Sequence, residues 1–158
     1  MPGVSSGTPD FPFAAKCEPD IPLKAKPIMS QTFHAALANL EQWVRKGTPA
    51  PRAGRMEISD AGTPQAAVKT DELGNGIGGV RSVYMDVPTA TFIPISTGPG
   101  NCREMGHKTD FDAARVQTLY GGQKNYAAKV SQAADKLVKD RWLTEADAKQ
   151  IKQELGAR

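Results

Sequence analysis

The residues whose type and spacing could perform nucleophilic chemistry come early in this chain. Residues 3–7 read G-V-S-S-G and place Ser5 in a G-x-S-x-G pattern. Such a pattern activates a serine hydroxyl only where a strand leads into a sharp turn and a helix follows the serine. Pro9 and Pro12 stand where that helix would run, and proline in a helix interior removes a backbone hydrogen bond. We therefore predict that Ser5 is not a nucleophile.

Two histidines, His34 and His107, are the candidates for the general base that a serine nucleophile needs. His34 follows Phe33 beside an apolar helix stripe, so we expect a packing role at the edge of a core. His107 precedes a predicted helix and has no recognisable carboxylate partner, so we expect a solvated loop residue. An autonomous hydrolase that uses Ser5 with His107 is kept as a third hypothesis. The sequence assigns no catalytic residue.

No metal or cofactor site is predicted. Cys17 and Cys102 are the two cysteines, and their spacing matches no metal-binding motif. They are either two buried thiols or one long-range disulfide of an exported protein. The acidic stretch at Asp71, Glu72 and Asn75 lacks the alternating ligand positions of a calcium loop, so it is interpreted as a turn.

Composition limits the classes of partner. The net charge is +3, and Lys and Arg alternate with Asp and Glu, so no basic stripe for nucleic acid is present. No run approaches the roughly 18 apolar residues of a membrane-spanning helix, so we expect a soluble chain without a membrane partner. Neither the compartment nor the oligomeric state is indicated.

The first half of the chain predicts one extended segment and one helix. Residues 1–29 are rich in proline and are expected to be extended. A helix is predicted over residues 30–47, because apolar side chains recur there at helical spacing and Gly47 follows a basic pair. The apolar positions, named the helix stripe, are Phe33, Leu37, Leu40 and Val44.

The middle of the chain, residues 66–94, predicts a hairpin and short strands. Residues 66–70 and 78–83 flank Asn75 and Gly76, a pair suited to a type I′ turn with positive φ at both positions. Alternating apolar residues at 83–87 and a short run at 91–93 indicate further strand structure.

The last third, residues 109–157, predicts three helices. Thr109 or Asp110 is expected to cap a first helix over residues 111–119, and a second covers 124–139. The sequence T-E-A-D at 144–147 resembles a capping box that opens a third helix. No long run rich in Val and Ile indicates a central parallel strand. The predicted fold class is therefore an α+β fragment, with amphipathic helices, a short hairpin and long loops.

The order of several segments resembles a known family. Residues 36–51 resemble the A-L-x-x-L-x-x-W-V-R-x-G-T-x-P-P segment found near the C-terminus of proteins described as alpha/beta hydrolase domain proteins. The similarity continues in order through residues 71–81, 86–91, 102–103, 111–115, 119–120 and 133–135. It covers nearly the whole chain, and it matches only the C-terminal portion of the family.

This resemblance implies an esterase-like parent with a Ser-His-acid triad, whose nucleophile and acid lie upstream of the segment. The family histidine sits in a P-G-x-x-H-G turn, and the matching residues 2–7 place Ser6 at the histidine position. A serine hydroxyl cannot act as a base near neutral pH. We therefore expect a non-catalytic C-terminal segment of an alpha/beta hydrolase domain, lacking the central parallel sheet, from a truncated reading frame or a decayed gene.

Two partners follow from this expectation. One is the N-terminal hydrolase portion, against which the helices would pack. The alternative is a stand-alone interaction module that docks onto a separate hydrolase chain through the helix stripe. If the first holds, the isolated chain should expose apolar helix faces and unfold without a cooperative transition.

Overall fold

The computed structural model describes residues 29–99, 102 and 106–156. Within this part of the chain, residues 92–99, 102 and 106–109 belong to a first unit, and residues 29–91 and 110–156 belong to a second. The predicted extended segment at residues 1–29 lies almost entirely outside the described residues.

Five helices and two small sheets make up the described structure. In chain order they are α1 (Met29–Lys46), β1 (Ile58–Ser59), β2 (Ala67–Val68), α2 (Val83–Asp86), β3 (Ala90–Ile93), β4 (His107–Asp110), α3 (Ala113–Tyr120), α4 (Gln123–Lys139) and α5 (Glu145–Gly156). Strands β1 and β2 pair antiparallel with Ile58 opposite Val68, and β3 pairs with β4. The helix predicted over residues 30–47 and the strand predicted at 91–93 are thereby confirmed.

The core of the second unit lies between α4 and α5. Tyr126, Val130 and Leu137 share one face of α4, and Ile151 and Leu155 lie on the buried face of α5. Helices α2 and α3 pack against α4, and the rings of Tyr120 and Tyr126 meet edge to face at 5.0 Å. The helical spacing of apolar residues predicted the buried face of each helix, because in both helices the apolar face is also the buried face.

The two C-terminal helix starts differ in how well they were predicted. The Thr144 hydroxyl accepts a hydrogen bond from the Asp147 amide at 3.1 Å, which confirms the cap of α5. The cap predicted at Thr109 or Asp110 is wrong, because both residues lie in β4. Asp112 caps α3 instead, accepting from the Arg115 amide at 2.7 Å. Pairing with β3 therefore extends the strand past the predicted helix start.

The predicted hairpin is wrong in its turn and in its second strand. Neither Asn75 nor Gly76 has a positive φ; the turn closes earlier, where the Asp71 amide donates to the Asn75 carbonyl at 2.8 Å. The Asp71 carboxylate accepts from the backbone amides of Leu73 and Asn75, which fixes the turn at this place. Thr70 and Gly76 still pair across the turn, but residues 78–83 form no strand, β2 pairs with β1, and Val83–Asp86 is the short helix α2.

Candidate functional site

The first unit contains a serine beside a histidine. Ser96 Oγ lies 2.9 Å from His107 Nδ1, and His107 begins β4 instead of lying in the predicted loop. Ser96 is 1% exposed, so a substrate carbonyl could not reach its hydroxyl. Among the described residues no carboxylate binds His107, whereas an activated base is oriented by a third group. This pair is therefore suited to anchoring β4, not to nucleophilic attack.

The second unit contains a histidine oriented by a carboxylate. His34 Nδ1 lies 3.0 and 3.2 Å from the two oxygens of Asp147, and the Thr144 hydroxyl also donates to Asp147. Asp147 is buried, while the His34 side chain is 56% exposed. The predicted packing role of His34 is thus replaced by a polar contact that joins α1 to the start of α5.

A second polar contact joins α1 to the turn after α4. Arg141 adopts a left-handed backbone with φ 61°, which directs the chain out of α4 toward α5. Its guanidinium donates to the Gln42 side chain at 3.3 Å and to the Pro49 carbonyl at 2.9 Å, and its own carbonyl accepts from the Asn39 amide at 2.8 Å. The sequence assigned no structural role to Arg141, so this contact was not predicted.

Arg81 organises the segment between β2 and α2. Its guanidinium donates to Asp71 at 2.7 Å, to Asp86 at 2.8 Å and to the carbonyls of Gly76 and Met85. Burial alone would raise the pKa of Asp71, but hydrogen bonds from the Asn75 amide, Arg81 and the Leu73 amide outweigh burial and lower it. Because the guanidinium already binds these partners, Arg81 stabilises this segment and does not offer a binding site for an anion.

Helix α1 presents its apolar face to solvent. Ala35 and Asn39 are buried, while Phe33, Leu37, Leu40 and Val44 of the helix stripe are 52–79% exposed. Trp43, beside the stripe, is 56% exposed. The amphipathic pattern therefore predicted the helix correctly, but the small and polar side of α1 faces the rest of the second unit.

A second apolar surface lies on the ribbon formed around β1 and β2. Its members, named the ribbon patch, are Met56, Ile58, Val68 and Val80, each 37–50% exposed. Ile58 and Val68 are direct cross-strand partners, and Met56 lies two residues before Ile58. Two exposed apolar surfaces in one unit are more than scattered surface hydrophobics and are typical of interaction surfaces.

The remaining site predictions concern cysteines, metals and membranes. Cys102 is fully buried and disulfide-bonded, which favours the disulfide over the free thiol; Cys17 lies outside the described residues. Across residues 29–99, 102 and 106–156, no group of three or more His, Cys, Asp and Glu side chains is arranged to hold a metal ion. None of the described helices has the length and apolar character that crossing a membrane requires.

Comparison with protein families agrees with the family resemblance noted in the sequence. A family model described as an alpha/beta hydrolase domain matches residues 8–153. The chain belongs to the alpha/beta hydrolase domain family. No curated protein and no solved structure matches it.

The contacts of the two histidines can be compared with the order of catalytic residues in alpha/beta hydrolases. An alpha/beta hydrolase uses serine, acid and histidine in that chain order. His34 binds an acid that follows it by 113 residues, which is the reverse order, and His107 binds the buried Ser96. Ser5 and Ser6, the residues on which the sequence predictions depended, lie outside the described residues.

Proposed function

We propose that this chain is a non-catalytic C-terminal part of an esterase-like alpha/beta hydrolase, and that its helix stripe covers the part of the domain that holds the parallel sheet. The observation that carries the proposal is the outward-facing helix stripe. Helices of α/β folds bury one apolar face on a sheet, and the described residues contain two small sheets that leave this stripe uncovered.

The polar contacts of α1 support the same arrangement. Asn39, Gln42 and His34 bind the turn and start of α5, so α1 is fixed on its polar side with its apolar side outward. A helix held in this way offers a preformed apolar surface, and docking onto it would cost little ordering entropy. The proposed partner of the helix stripe is the part of the domain that holds the parallel sheet, because proteins of this fold contain such a sheet.

The catalytic part of the proposal is tested by activity and covalent labelling. The purified 158-residue chain should neither hydrolyse p-nitrophenyl acetate nor take up a fluorophosphonate label, because its described serine–histidine pair is buried. A serine esterase assayed in the same batch is the positive control. A labelled serine would overturn the proposal, and the variants Ser5→Ala and Ser96→Ala would identify it.

The helix stripe is tested by dye binding. A naphthalene sulfonate dye should fluoresce strongly with the wild-type chain, and Leu37→Glu with Leu40→Glu should remove most of the enhancement by charging the stripe. Replacing the exposed pair Glu41 and Arg45, which form an ion pair beside the stripe, with alanine is the matched control. Equal fluorescence in wild type and the Glu variant would show that the stripe is not the exposed surface.

The alternative is a stand-alone module that docks onto a separate hydrolase chain through the same stripe. The buried core between α4 and α5 favours it, because a unit with its own core can fold before it meets a partner. Translating the DNA upstream of the gene in all frames separates the two. A hydrolase sequence in the same frame supports a part of one domain, whereas intergenic sequence with a ribosome-binding site supports the module.

A further inference from the structure

Asn75 and Gly76, in the turn that follows β2, form a pair that can react without any ligand. The backbone nitrogen of the residue after an asparagine can attack the side-chain Cγ and close a succinimide ring. Glycine at that position favours the attack, because it has no Cβ to crowd the nitrogen. Of the four asparagines in the chain, only Asn75 is followed by glycine; leucine, cysteine and tyrosine follow the others. Asn75 is therefore the asparagine most prone to this deamidation.

The folded chain holds the Asn75 side chain and backbone in place. Asn75 is 0% exposed, and its side-chain amide donates to the Ala90 carbonyl at 3.2 Å. Its backbone amide donates to the Asp71 carboxylate at 2.9 Å, and its carbonyl accepts from the Asp71 amide at 2.8 Å. Ring closure requires the side chain to turn onto the Gly76 nitrogen and the side-chain nitrogen to leave into solvent. The hydrogen bonds and the burial of Asn75 oppose both steps.

We propose that Asn75 is a deamidation site that the folded ribbon protects and that opening of the ribbon exposes. In the reaction the Gly76 nitrogen loses its proton to solvent and forms a bond to Asn75 Cγ. The bond from Cγ to the side-chain nitrogen breaks, and that nitrogen takes up a proton and leaves as ammonia. Water then opens the ring at either succinimide carbonyl and yields aspartate or isoaspartate at position 75. The proposal does not depend on the proposed function, because it concerns the ribbon and not the helix stripe.

The product does not fit the place that the Asn75 amide occupies. A carboxylate has no hydrogen to donate to the Ala90 carbonyl, so two acceptors would face each other. It would also bring a second negative charge close to Asp71, whose carboxylate binds the Asn75 backbone amide. Isoaspartate in addition lengthens the backbone within the turn. A chain that has reacted while open is therefore hindered from closing the ribbon again, and the modification records that opening.

The reaction rate in the folded chain depends on how often the ribbon opens. When closing is faster than the reaction, the rate follows the equilibrium fraction of the open form. Backbone hydrogen bonds that link Glu57, Lys69 and Ile77 keep the ribbon closed, and Arg81 donates to the Gly76 carbonyl. A change that weakens these contacts should raise the rate at Asn75 in proportion to the open fraction.

The test is the rate of deamidation in the full chain, followed by peptide mapping and mass spectrometry that separate asparagine, aspartate and isoaspartate peptides. In guanidinium chloride Asn75 should react faster than Asn125, which precedes the bulky Tyr126. Without denaturant, at the same pH and temperature, Asn75 should react at least about tenfold more slowly, because the rate falls with the open fraction. Equal rates at Asn75 in the two conditions, or no preference for Asn75 over Asn125 in guanidinium, would overturn the proposal.

Glycine variants separate opening of the ribbon from the chemistry of the pair. A Cβ at Gly78 would collide with backbone atoms of the ribbon, so Gly78→Ala should raise the rate without denaturant about tenfold or more. Gly54 has open space around it, and Gly54→Ala should leave the rate unchanged. Gly76→Ala crowds the attacking nitrogen and should remove most of the reaction in guanidinium. An unchanged rate in Gly78→Ala would refute control by opening of the ribbon.

The effect of the product is tested with Asn75→Asp, which carries the carboxylate from the start. This variant should lose amide-exchange protection at Glu57, Lys69 and Ile77, whose hydrogen bonds hold the ribbon. Protection equal to that of the wild-type chain would show that the modified ribbon closes normally, and would overturn the proposed record of opening.

Discussion

Replacing Ile151 with alanine should lower the free energy of unfolding of the isolated chain by about 2–5 kcal/mol. Ile151 is 2% exposed and lies in the cluster formed by α4, α5 and the residues before α5. Removing its branched side chain loses apolar burial and leaves a void between two helices that cannot close completely. Urea unfolding followed by circular dichroism at 222 nm measures the change.

The matched control is Leu37→Ala in the helix stripe. Leu37 is 62% exposed, so its removal should change the free energy of unfolding of the isolated chain by less than about 0.5 kcal/mol. Equal destabilisation by the two variants would mean that the stripe is buried in the isolated chain. A wild-type chain without any cooperative transition would agree with the expectation from sequence and would mean that the core between α4 and α5 does not form alone.

The difference between α1 and the two C-terminal helices explains how far the sequence could predict the fold. For α4 and α5 the apolar face is buried, so periodicity predicted both the helix and its orientation. For α1 periodicity predicted the helix but not its orientation. Asn39 and Gln42 bind Arg141, and His34 binds Asp147, and these long-range contacts turn the polar side inward. Such contacts join residues about one hundred positions apart, and no local pattern encodes them.

The turn at Asp71 shows the same limit on a shorter scale. Asn75 and Gly76 form the strongest local turn signal. The Asp71 carboxylate nevertheless accepts hydrogen bonds from two backbone amides in the turn and from the Arg81 guanidinium. The buried Asn75 side chain donates to the Ala90 carbonyl at 3.2 Å, which commits it to a tertiary contact. Because these hydrogen bonds outweigh the preference of Asn75 and Gly76 for a type I′ turn, the turn forms a few residues earlier in the chain. A dipeptide preference is a weak term when several hydrogen bonds favour another position.

Replacing Gly78 with alanine should disrupt the ribbon that carries the ribbon patch. Gly78 has φ +83°, and a Cβ at this position would lie 2.3 Å from the Arg55 carbonyl oxygen and 3.0 Å from the Glu57 nitrogen. The left-handed conformation alone costs an alanine about 1–2 kcal/mol. The clash adds to that cost, because it involves backbone atoms that cannot rotate away. The backbone at Met56, which forms an isolated bridge with Gly78, must therefore shift.

Amide hydrogen exchange measures this disruption at three linked hydrogen bonds. The amides of Glu57, Lys69 and Ile77 donate to the carbonyls of Ile77, Glu57 and Lys69 at 2.9–3.0 Å, and all three should lose protection in Gly78→Ala. Gly62→Ala has a similar positive φ with nothing within 4 Å, so it isolates the conformational cost. Gly54→Ala has neither feature and should leave exchange unchanged. If Gly62→Ala and Gly78→Ala had the same effect, the close approach to Arg55 would contribute nothing, and the ribbon would be held less tightly than its geometry implies.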